Sequence, residues 1–248
     1  MFLNDVWRGL AAYMAAIKLL TRQGWWKYTL APGFVSLIFG VVVLTAAWGL
    51  SDNMSAALMR GYPFEQGKAA AAVLVTLLSS LLIIAIGIII FKNLVMLLVS
   101  PWMNRLSIKI ERHTTGHSYI DERTFVEAFR RQLRLNLRLI LREAAFIILI
   151  FLFGLIPVLD FAVPPLLFLV QSFYAGFGNL DYFMDRHYTF AESVAFVKRN
   201  KGVALGNGIG FLLLLLIPVA GVFLAPTLGV AAATLSGISL QKKEIAQN

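Results

Sequence analysis

The 39 residues from Gly202 to Leu240 contain no Lys, Arg, Asp or Glu, and a soluble domain of this size has no reason to keep so long a stretch free of charge. Two further uncharged stretches, Tyr28 to Ser51 and Ala69 to Phe91, each exceed the roughly 20 residues with which an α-helix crosses about 30 Å of hydrocarbon. With 59% hydrophobic and 14% charged residues, the chain has too little polar surface to cover a globule in water. Lipid has to solvate part of it.

In hydrocarbon every backbone amide must be satisfied within the chain, and these apolar runs lack the alternating period of barrel strands. The expected class is therefore an all-α integral membrane protein. No polar linker separates independent apolar blocks, so residues 1–248 read as a single integral membrane domain. The chain has no cysteine, which excludes disulfides, thiolate metal sites and cysteine nucleophiles. Met1 to Leu20 is interrupted by Arg8 and Lys18 and leads to no small-residue cleavage motif, so it does not read as a signal peptide. A net charge of +9 reads as helix orientation in a membrane rather than as nucleic-acid binding, because Lys and Arg collect at the cytoplasmic ends of membrane helices.

From Asp5 to Leu20, the residues Val6, Leu10, Tyr13, Met14, Ile17 and Leu20 recur at spacings of three and four, which predicts an amphipathic helix along the interface. Trp25, Trp26, Lys27 and Tyr28 then stand where an aromatic belt and a snorkelling lysine belong at the start of the first span. The connection Asp52 to Lys68 is short and balanced in charge, suited to translocation, and the second span runs from Ala69 toward Val99 before Ser100-Pro101-Trp102 interrupts it.

Ten Lys and Arg residues lie from Lys92 to Arg142, and from Phe125 onward Arg130, Arg134, Arg138 and Arg142 repeat every fourth position beside Leu133, Leu137 and Leu141. Such a helix should meet anionic headgroups or another helix. Two later blocks, Ala144 to Leu180 and Gly202 to Leu240, share one pattern: Ile156-Pro157-Val158 with Pro165 matches Ile217-Pro218-Val219 with Pro226. In each block the prolines leave apolar arms at or below the minimum for a comfortable span.

Basic clusters before Tyr28, between Lys92 and Arg142, at Lys198 to Lys201 and at Lys242-Lys243 require each intervening block to return to its own side if all four are cytoplasmic. The first block does so with two long transmembrane helices. The later two do so as proline-bent helical hairpins that cross thinly or are hemi-penetrating, with tips and Asp160 against protein or water. Gly221, Ala225, Gly229, Ala233 and Gly237 repeat at every fourth position and permit close packing between hairpins or between subunits.

His113 and His117 flank Thr114-Thr115-Gly116, which reads as a loop, and no third ligand lies nearby, so no metal site is read. Asp181 and Tyr182 read as residues that orient a helix end. No nucleophile, acid–base set or phosphate loop supports catalysis, so the chain reads as no enzyme, with no catalytic residues and no cofactor.

The chain resembles the CysZ family of bacterial inner-membrane sulfate permeases from Gly9 to about Gly237. The landmarks are Gly24-Trp25-Trp26-Lys27-Tyr28 with Pro32, Ser100-Pro101-Trp102-Met103-Asn104, Ile156-Pro157, Asp181-Tyr182, Phe190, Lys198 to Lys201, Pro218, Pro226 and Ala233-Thr234. The resemblance implies a multi-pass homo-oligomer of the inner membrane that passes sulfate inward for cysteine synthesis. It also implies anion binding at a Gly-x-Arg-Arg-like element, whose positions here are Gly24, Trp25, Trp26 and Lys27, with Trp26 and Lys27 where the family has arginines. Lysine supplies charge without the bidentate fork. A belt role for the tryptophans and a snorkelling role for Lys27 fit the same residues. Beside an anion channel or facilitator for sulfate or a related oxyanion stands the alternative of a membrane scaffold that organises lipids or partner proteins without solute flux.

Overall fold

The computed structural model describes residues 2–30, 32–35, 37–38, 40–42, 45, 98–117, 125–154 and 162–247. Among them there are helices and turns and no strand. Helix α1 spans Phe2–Gln23, and a five-residue 3-10 turn, Trp25–Thr29, joins it to α2, the described helical residues between 30 and 45. Helix α3 comprises residues 98–115, followed by α4 (Phe125–Gly154), α5 (Val163–Met184), α6 (Phe190–Arg199), α7 (Lys201–Leu215) and α8 (Ala220–Gln247).

Helix α7 is the hub, packing against α1, α5 and α8. Its glycines allow this. A Cβ at Gly208 would fall inside the Ser172 carbonyl of α5, and one at Gly176 inside the Ala204 carbonyl of α7, so the two backbones touch along this seam. Gly206 lies in the same way against the Val6 carbonyl of α1. Close backbone approach of this kind is what small residues on helix faces permit.

The α7–α8 pair is a hairpin whose turn, Leu216 to Val219, contains Pro218. Proline cannot continue a helix with a full set of amide bonds, and the chain reverses there. At the other end Arg199 pairs with Glu244 at 3.0 Å, which draws the Lys198–Lys201 and Lys242–Lys243 clusters together. The block between them leaves and returns at one end of the helix pair.

Helix α1 is amphipathic, as its spacing predicts, and one face packs on protein. Gly9, Tyr13, Ala16 and Leu20 are buried against the bundle, while Trp7 and Met14 are exposed. The inward face includes two small residues that a hydrophobicity pattern undervalues. The basic helix and the first arm of the earlier hairpin are one continuous helix, α4, whose 30 residues extend about 45 Å. Leu139, Glu143 and Ile150 form its buried side, and Leu133, Leu137 and Leu141 are exposed. Ser100-Pro101-Trp102 is helical rather than a break, since proline fixes φ near the helical value and forgoes one amide bond.

The stripe Gly221, Ala225, Gly229, Ala233 and Gly237 packs inside the chain: Gly221 meets α7, Gly229 meets Asn179 and Phe211, and Gly237 meets Phe183. Among the described residues one helix, Ala220–Ala246, is long and apolar enough to cross a membrane, yet 72% of its most apolar window is buried within the protein. The expected second span from Ala69, the Asp52–Lys68 connection, and the first hairpin tip with Pro157 and Asp160 lie outside the described residues.

Candidate functional site

Gly24 ends α1 in the left-handed region, at φ 62° and ψ 31°. A Cβ there would meet nothing within 4 Å, so glycine is required by the backbone conformation and not by crowding. The 3-10 turn that follows places its residues on different sides. Trp25 is buried beside Leu20, Met103, Leu106 and Ile110, Trp26 is half-buried with Nε1 donating to Thr21 Oγ1 at 3.3 Å, and Lys27 is exposed. Thr29 Oγ1 donates to the Trp26 carbonyl at 2.6 Å, and Thr227 Oγ1 of α8 donates to the Tyr28 carbonyl at 3.2 Å. The four sequence-predicted residues thus share one turn, but Trp25 serves as its anchor in the core while Lys27 reaches solvent.

Helix α3 packs a second set of polar groups against this turn. Lys109 Nζ stands 4.7 Å above the Trp25 ring and 5.9 Å from the Tyr28 ring. His113, one turn further along, meets Trp25 edge to face at 5.7 Å and lies 3.4 Å from Gln23 Nε2. The helix runs through Thr114 and Thr115, where the sequence reads as a loop, and ends at Gly116 with φ 75°. Among the described residues, none of Lys27, Arg105, Lys109 and Arg112 has a carboxylate partner. No cluster of three or more His, Asp or Glu suited to a metal occurs among them.

The opposite side of α3 is fully compensated. Arg186, just past α5, has a buried side chain whose Nε and Nη2 donate to Glu111 Oε2 at 3.0 and 2.6 Å. Its remaining donors reach Ser107 Oγ at 2.9 Å, Asn104 Oδ1 at 3.2 Å and the Tyr182 carbonyl. His187 Nε2 approaches the other Glu111 oxygen at 2.5 Å, and Ser107 Oγ and Thr234 Oγ1 of α8 are 2.8 Å apart. Burial alone would raise the Glu111 carboxyl; the His187 hydrogen bond and the Arg186 charge outweigh it and hold the group below its ordinary value. Asp181 and Tyr182 lie in the last turn of α5, buried beside this cluster, and the Asp181 and Tyr182 carbonyls accept from the Asp185 N–H and from Arg186, respectively.

A third polar knot ties the hub. Asn179 Nδ2 donates to Asn207 Oδ1 at 2.9 Å, Asn207 Nδ2 donates to the Gly229 carbonyl at 3.0 Å, and Tyr13 OH donates to the Asn207 carbonyl at 2.6 Å. Sequence reasoning passed over Lys109, Glu111, Arg186, Asn179 and Asn207. The one local signal was Asn207 between Gly206 and Gly208, the middle of an otherwise apolar run.

No curated protein matches the chain. Residues 12–226 match the family described as sulfate transporter CysZ/etoposide-induced protein 2.4. That range takes in the Gly24–Lys27 turn, the Glu111–Arg186 pair, Asn179 and Asn207 of the asparagine knot and the turn between α7 and α8, so the chain belongs to this family.

Proposed function

We propose that the chain carries sulfate or a related oxyanion inward across the bacterial inner membrane, as a channel or facilitator that supplies cysteine biosynthesis. The family match over residues 12–226 carries this reading. The exposed Lys27 on an aromatic turn, with Lys109 of α3 over the Trp25 and Tyr28 rings of the same turn, supports an anion-attracting face. Gly24, Trp25, Trp26 and Lys27 form the binding turn in this reading, Trp25 as its anchor and Lys27 as its charge. Tracer sulfate uptake into liposomes checks it: the wild-type protein accelerates uptake, and Lys27→Ala slows it severalfold. Liposomes no more permeable with the wild-type protein than without it would end the transport reading.

Two long spanning helices and two hairpins that enter the bilayer part-way complete the proposed architecture. With Trp26 to Tyr28 at the headgroup level, Thr227, bonded to Tyr28, marks that level on α8. From Thr227 to Val219 the hairpin rises no more than about 12 Å at 1.5 Å per residue, less than half of the roughly 30 Å core. Exposed apolar side chains support the same placement, gathering on α2 (Phe34, Ile38, Val41) and at the α7–α8 tip, where Leu216 is 72% exposed. The chain has no cysteine, so Leu216→Cys can carry a single spin label. The expected result is a label near the bilayer midplane; a label in water on the far side would mean that the hairpin crosses.

The exposed Leu133, Leu137 and Leu141 of α4, flanked by exposed Arg130, Arg138 and Arg142, support contact with anionic lipid headgroups. A homo-oligomer is part of the proposal. Because the Gly221–Gly237 stripe is used inside the protomer, assembly would fall to other surfaces.

A further inference from the structure

We infer that Lys109 of α3 is the second cation of the oxyanion site, so that the anion is held between two helical elements rather than on the Gly24–Lys27 turn alone. The inference rests on the reading that this turn binds the transported oxyanion. Between Gly24 and Thr29 there is one cationic residue, Lys27, and a single exposed ammonium leaves a dianion half compensated and easily lost to water. The structure brings a second ammonium to the same turn from 82 residues away in sequence, since Lys109 Nζ lies over both Trp25 and Tyr28.

Two ring faces hold that ammonium without neutralising it. Cation–π attraction fixes its position on one side and leaves N–H donors free on the other. Trp25, buried in the core with Leu20, Met103, Leu106 and Ile110, is a rigid platform, so the charge is placed before any anion arrives. The absence of a carboxylate partner for Lys27, Lys109, Arg105 or Arg112 among the described residues contrasts with Glu111, on the same helix, whose charge is fully engaged by Arg186 and His187. The helix thus sorts its charges, with Glu111 turned to Arg186 and His187 past α5 and Lys109 turned to the Gly24–Lys27 turn. Lysines offer single N–H contacts rather than a planar fork, which suits a hydrated tetrahedral oxyanion that must be released again.

The alternative is that Lys109 merely packs Trp25. Sulfate binding by equilibrium dialysis on the purified full-length protein, run beside liposome uptake, separates the two. Lys109→Met keeps the unbranched chain over the rings and removes the charge; it is expected to weaken sulfate binding about tenfold, in keeping with loss of a charged hydrogen bond. Lys109→Arg should bind within about twofold of wild type on the same scale, and the exposed Lys198→Met should bind as wild type. Lys109→Gln carries the expectation of Lys109→Met should the latter fail to fold. Wild-type affinity in Lys109→Met or Lys109→Gln, with normal binding by the wild-type protein, would overturn the role of Lys109 alone. A wild-type protein that neither binds nor passes sulfate would instead remove the transport reading on which it rests.

Discussion

Arg186→Met lowers the stability of the folded protein by about 3–5 kcal/mol, the usual cost of removing one partner of a buried ion pair. The size follows from what is left behind. Glu111 keeps its carboxylate in the interior beside His187, while Ser107 Oγ, Asn104 Oδ1 and the Tyr182 carbonyl each lose a donor. Double replacement, Arg186→Met with Glu111→Met, should cost less than the sum of the single changes, because no uncompensated charge then remains. Thermal unfolding in detergent followed by circular dichroism gives the cycle. Equal and additive losses would show that the pair contributes nothing beyond its separate packing.

The same pair sets an acid limit. The Glu111 carboxyl is held below its ordinary value in the folded state, so on acidification the unfolded chain takes up this proton first. The contribution of Glu111 is complete above its unfolded value, about 4.3 for a free glutamate, and is lost as pH falls through the lowered native value. This component of the pH dependence should vanish in the double variant.

Gly208→Ala is the second large effect, expected at about 3 kcal/mol or more, a magnitude reserved for overpacking that cannot relax. The added methyl would enter the Ser172 carbonyl, which belongs to the backbone of α5 and cannot swing away as a side chain could. The α5–α7 seam would have to open, and with it the bond from Asn179 to Asn207 that lies on the same pair of helices. Gly178→Ala, on α5 two residues from Gly176, is the control: a Cβ there meets nothing within 4 Å, and replacing a helical glycine by alanine stabilises by up to about 1 kcal/mol. Similar melting temperatures for the two variants would refute the backbone contact.

The hairpin of α7 and α8 was legible before any coordinates, because Pro218 interrupts the uncharged block between Lys201 and Lys242, and a return there brings the flanking charges to one end. The candidate site was legible only in part. Gly24 to Lys27 could be picked out as an aromatic belt with a lysine at the start of a helix, but neither the 3-10 turn nor Lys109 could, since the relation of Lys109 to Trp25 comes from tertiary packing and leaves no mark in local spacing. The burial of Arg186 was hidden for the same reason: next to Asp185 and His187 it reads as one more charge in a polar loop.

Sequence alone determined that the chain is helical, that it belongs with lipid, and that its later apolar block bends at Pro218. The first two follow from the solvation of backbone and charge, which depends on composition and order along the chain, and the third from the amide that proline lacks. Only the tertiary structure decided how the greasy surface is shared between lipid and protein. Gly202 to Phe211 and Ala225 to Leu240 are mostly buried in the bundle, while Leu213, Leu216, Ile217 and Val219 of the same hairpin are exposed near its tip. Hydropathy cannot make that division, because a helix buried among glycines and asparagines of its neighbours and a helix bathed in acyl chains are equally free of charge.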